Sequence, residues 1–72
     1  MKKGIILFFS SNNAIWANET LNNHNIPNKL QSVPIELSTD CGYCVSITEE
    51  DIPVGKEILK GNNIEYDKIV IL

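Results

Sequence analysis

Two cysteines, Cys41 and Cys44, enclose Gly42 and Tyr43 and form the one chemically sharp feature of this sequence. A deprotonated thiol is a nucleophile and a metal ligand, so two of them three positions apart admit several chemistries. They can be a redox pair, half of a metal site, a persulfide carrier with a resolving thiol, or two small apolar residues packed away from solvent. A zinc site needs four ligands, and beyond the cysteines the chain offers His24 on a remote helix and ordinary carboxylates, so a metal would require a second copy. A thioredoxin-type pair opens a helix whose dipole favours the thiolate, whereas this pair runs into an alternating, strand-like segment. Asp40 disfavours a neighbouring thiolate by like-charge repulsion, and no cation lies in the same loop. His24 reads as a helix C-terminal residue favoured by the dipole, Trp16 as an edge-packing or dimer-contact residue, and Glu36 and Asp40 as solvated loop acids. None of these completes a catalytic constellation.

The elements that must position the thiols follow from the pattern of the chain. Residues 4–9 are a continuous apolar run bounded by Gly4 and Ser10, as in a buried strand. From Asn12 to about His24, Ala14, Ala17, Leu21 and, less strictly, Ile15 recur at helical spacing, with Ser11 or Asn12 as N-cap. Asn25 suits a left-handed C-cap, and Pro27 forbids continuation. Residues 28–33 alternate as a half-buried strand before Pro34, and a breaker-rich loop then leads to Cys41. Residues 43–48 alternate again, which points Tyr43, Val45 and Ile47 at a core and Cys44, Ser46 and Thr48 away from it. Thr48 and Asp51 resemble a capping box for a helix that includes Pro53 and runs to about Lys60, weakened at Gly55 by about 1 kcal/mol relative to alanine. Residues 66–71 form a last strand.

The order β-α-β, β-α-β reads as a weak duplication, since Asn25-Ile26 and Asn63-Ile64 both close a helix. It predicts a single domain over residues 1–72, an α+β ferredoxin-like βαββαβ sandwich. Its four-stranded antiparallel sheet carries two helices on one face and leaves the other face solvated.

Composition limits the partners. At 72 residues the chain holds one small core and is expected as a monomer or homodimer. The net charge is −3, and the six lysines are scattered without an arginine, which offers no clustered cations for phosphates and argues against nucleic acid. Lys2 and Lys3 before an apolar run superficially suggest a signal peptide. The run is too short, lacks a cleavage pattern, and serves better as a strand. No segment approaches the roughly 20 apolar residues of a membrane span, so no membrane partner and a cytoplasmic location are expected. In that reducing setting the cysteines are thiols with chemistry before they are a structural disulfide.

The run Pro34-Ile35-Glu36-Leu37-Ser38-Thr39-Asp40-Cys41-Gly42 resembles the loop of a family of short bacterial selenium/sulfur carrier-like proteins. The resemblance extends over nearly the whole chain: a short strand ending in Ser10, a helix with alanines and a leucine, the Ile26-Pro27 re-entry, then strand, helix and strand. Ser38, Cys41 and Gly42 are its specific part. It implies that Cys41 carries sulfur or selenium as a persulfide or selenopersulfide, with Ser38 and Gly42 as binding residues and Cys44 as a candidate resolving thiol outside the family motif. The partners would be a protein donor and a protein acceptor of the chalcogen. The protein would then be a substrate of enzymes, not an enzyme, and would need no cofactor. Two other functions fit the residues: a small-molecule-binding or interaction module using the sheet's open face around Ser46 and Cys44 or an edge strand, with structural cysteines, and a dithiol redox sensor.

Overall fold

The computed structural model of the chain describes residues 2–34, 37 and 42–72. Six elements follow one another: β1 (Lys3–Leu7), α1 (Ser11–Asn23), β2 (Asn28–Ser32), β3 (Tyr43–Thr48), α2 (Ile52–Gly61) and β4 (Lys68–Ile71). The strands form one sheet in the order β2-β3-β1-β4, antiparallel throughout. This is the ferredoxin-like arrangement expected from the βαββαβ order, each βαβ half placing its strands on either side of a strand from the other half.

Local chemistry explains where the elements stop. The α1 N-cap is Ser10, one residue before the expected candidates: its backbone is extended (φ −144°, ψ 153°) and its Oγ accepts from the Asn13 N–H at 3.3 Å. Both helices end in the same way. Asn25 (φ 60°) and Asn63 (φ 58°) adopt the left-handed conformation. The next residue then donates back across the turn, Ile26 N–H to the Leu21 carbonyl and Ile64 N–H to the Leu59 carbonyl, each at 2.9 Å. Asn25 N–H to Asn22 O (3.0 Å) and Asn63 N–H to Lys60 O (3.1 Å) complete two Schellman closures. Before α2, Thr48 Oγ1 donates to Asp51 Oδ2 at 3.0 Å, and a 3-10 turn over Glu49–Asp51 precedes the helix. The expected capping box is therefore a side-chain pair across that turn, and α2 starts at Ile52 with Pro53 in its first turn.

Both helices pack on one face of the sheet. Ile6 and Phe8 from the first strand and its exit, with Val45 and Ile47 of β3, meet Ala14, Ala17 and Leu21 of α1, Leu59 of α2 and Ile64 after it. Close approach depends on Gly4, because a Cβ there would run into Ile52 Cδ1. Tyr43 does not join this core: at the start of β3 it remains exposed. Ile15 and Trp16 also lie on the surface of α1. The last strand is shorter than expected, with Asp67 N–H donating to the Leu7 carbonyl at 2.6 Å just ahead of it.

The opposite face departs from the solvated surface that alternation suggests. Ile5, Leu7, Cys44 and Ser46 lie there in register, Leu7 opposite Cys44 and Ile5 opposite Ser46, and all four are buried. Val33 and Leu37, from the connection between β2 and β3, pack over Ile5, Leu7 and Cys44, and Val70 of β4 borders them. Val33 and Leu37 thus complete a second apolar cluster in this small domain, one that strand periodicity does not reveal.

Candidate functional site

The β2-β3 hairpin carries the cysteine motif. Gln31 pairs with Cys44 and Ser32 with Tyr43, and one more backbone bond, Val33 N–H to the Gly42 carbonyl at 3.2 Å, closes the neck of the connection. Gly42 has φ +83°, a conformation that L side chains rarely adopt, and it is exposed. Position 42 therefore favours glycine for the backbone turn, and among the described residues nothing lies within 4 Å of where its Cβ would be.

Cys44 is the second residue of β3. Its side chain lies on the sheet face away from the helices, fully buried between Leu7 and the covering residues Val33 and Leu37. The Sγ donates to the Ser32 carbonyl at 3.7 Å, a weak sulfur hydrogen bond into its own hairpin. A thiol in this environment is shielded from solvent oxidants and from partners by Val33 and Leu37. Cys41 and Ser38 lie outside the described residues, as do Glu36 and Asp40.

Strand register supplies what the loop sequence lacks. Lys29 is opposite Ser46, Lys3 opposite Thr48, and Lys68 opposite Leu7, which itself neighbours Cys44. Three cations consequently lie on the same face of the sheet as the Cys44 thiol. They are far apart in sequence, and pairing alone brings them to one side; the signal for them was in the strand phases, once the antiparallel register was assigned.

His24 caps α1, and its Nδ1 donates to the Thr20 carbonyl at 2.9 Å. Among the described residues, no group of three or more His, Cys, Asp or Glu side chains converges as a metal site would require. No helix among them is long and apolar enough to cross a membrane.

The chain matches the family model described as "Putative Se/S carrier protein-like" over residues 3–71. It belongs to that family. The match spans both helices and all four strands, so family membership applies to the whole βαββαβ unit and not to the cysteine loop alone. No characterised protein and no solved structure matches this Se/S carrier-like chain.

Proposed function

We propose that the protein carries sulfane sulfur or selenium on Cys41, with Cys44 as a shielded resolving thiol. The observation that carries this reading is membership in the Se/S carrier-like family over residues 3–71 in a chain whose two cysteines stand at this spacing. The exposed Gly42, next in sequence to Cys41, and the hydrogen-bonded neck at Val33 and Gly42 support a thiol presented by a loop on a rigid hairpin.

Loading is a sulfur transfer. The Cys41 thiolate attacks the terminal sulfur of a donor protein's persulfide, the donor S–S bond breaks, and the donor leaves as a thiolate while Cys41 gains the persulfide. An acceptor thiolate can remove the terminal sulfur by the same step in reverse sense. Alternatively, the Cys44 thiolate attacks the inner sulfur of the Cys41 persulfide and expels hydrosulfide. That second route oxidises the two cysteines to a disulfide and reduces the sulfane sulfur by the same two electrons. The buried position of Cys44 favours holding over release, because the second route requires Val33 and Leu37 to lift from the sheet. Such chemistry needs a reducing compartment, and the cytoplasm is the setting proposed for it.

Intact-mass measurement of the reduced protein after incubation with a cysteine desulfurase and cysteine tests the reading. A gain of one sulfur atom that Cys41→Ser abolishes is the expected result. Unmodified protein beside a fully loaded known acceptor would overturn it.

A further inference from the structure

A second candidate lies on the outer sheet face, away from Cys44. Lys3, Pro27, Asn28, Lys29, Ser46, Ile47 and Thr48 line a cavity of about 190 Å³. That is below the roughly 300–1,000 Å³ typical of pockets for drug-sized ligands, so the cavity suits an ion or a very small molecule. Its chemistry is cationic. Lys3 of β1 and Lys29 of β2 stand on either side of β3, which separates their backbones by two strand spacings, roughly 10 Å. Lysine side chains from both sides can span that gap. Among the described residues neither ammonium is in an ion pair.

Between them Ser46 is only 5% exposed. Among the described residues its hydroxyl makes no hydrogen bond, although a buried hydroxyl normally has a partner. Thr48 differs, since its hydroxyl proton is committed to Asp51. The cavity therefore has two ammonium groups and one unengaged hydroxyl donor, all suited to negatively charged oxygen. The larger groove of about 610 Å³ beside Phe9 and Tyr66 shows no such bias, because Glu57 and Glu65 line it together with Lys56 and Lys60.

We propose that this cavity binds a small inorganic oxyanion, held by Lys3, Lys29 and the Ser46 hydroxyl. The site requires neither cysteine, so sulfur loading and anion binding are independent readouts. Amide NMR titrations of the full chain with sodium phosphate, thiosulfate and selenite, each against sodium chloride at matched ionic strength, test it. Saturable shifts at Lys3, Lys29, Ser46 and Thr48 are expected. Ser46→Ala should weaken binding by about tenfold, the size of a lost hydrogen bond to a charged group. Lys29→Gln, at an exposed position that leaves the core intact, should weaken it by about threefold. Saturation by all three anions would establish a general oxyanion site, and saturation by the sulfur and selenium anions alone would establish one selective for chalcogen oxyanions. Shifts that chloride reproduces, or that persist undiminished in both variants, would overturn the proposal.

Discussion

Replacing Cys44 separates its packing role from its chemistry, and the two obvious substitutions should not behave alike. Cys44 is fully buried between Leu7, Val33 and Leu37. Cys44→Ala removes one buried sulfur and leaves a small void, at a cost of about 1 kcal/mol. Cys44→Ser also shrinks the side chain, and in addition it introduces a hydroxyl into the apolar cluster. The 3.7 Å separation from the Ser32 carbonyl suits sulfur. An oxygen on the shorter C–O bond would stand back from that carbonyl, outside hydrogen-bond range, unless the strand shifts. The serine variant should thus lose about 2 to 3 kcal/mol, more than alanine. For a domain of this size each kcal/mol lowers Tm by about 6 °C. Thermal melts followed by circular dichroism under reducing conditions should rank wild type above alanine above serine. A serine variant as stable as wild type would refute the assignment of Cys44 to a dry apolar cluster. The ranking also makes Cys44→Ala the better variant for the sulfur-loading experiment.

Other outcomes follow from the same packing. Cys44→Ala should load sulfur as wild type does but release less hydrosulfide on standing, measured by intact mass over time; equal release would remove Cys44 from the resolving step. Gly4→Val should destabilise the fold by about 3 kcal/mol in a guanidinium melt, because the added side chain displaces Ile52 from the sheet. Gly55→Ala should change stability by less than about 0.5 kcal/mol: the gain in helix propensity of about 1 kcal/mol is offset by a Cβ placed 3.1 Å from Ile47 Cδ1. Asn63→Ala should cost about 1 kcal/mol and Asn63→Gly should not, since the left-handed backbone at φ 58° penalises the Cβ of alanine.

The helix terminators were legible in the sequence because asparagine before an isoleucine that packs on the core is a local signal, and both copies behave alike. Strand order was legible through the βαββαβ sequence of elements, since short connections and antiparallel pairing leave few arrangements. The outer face was not. Alternation in β3 separates Val45 and Ile47 from Cys44 and Ser46, but it cannot tell that Val33 and Leu37 pack over Cys44, a contact that no periodic element makes. Tyr43, the first residue of β3, shares the phase of Val45 and Ile47 and still stays exposed. The Ser10 cap was missed by one residue: Ser10, Ser11 and Asn12 are all competent caps, and only the extended backbone at Ser10 selects among them. At the candidate site, the Cys41 and Cys44 spacing was visible at once, whereas Lys3, Lys29 and Lys68 join its face only through register.

The bond between Val33 and Gly42 also makes the hairpin a natural graft point. Residues 34–41 lie between two positions already held together by the sheet ladder. Doubling the length of a connection costs only about 0.6 kcal/mol in closure entropy. Foreign peptides inserted there would be displayed from a rigid base, provided Leu37 or an equivalent apolar anchor still covers the outer cluster.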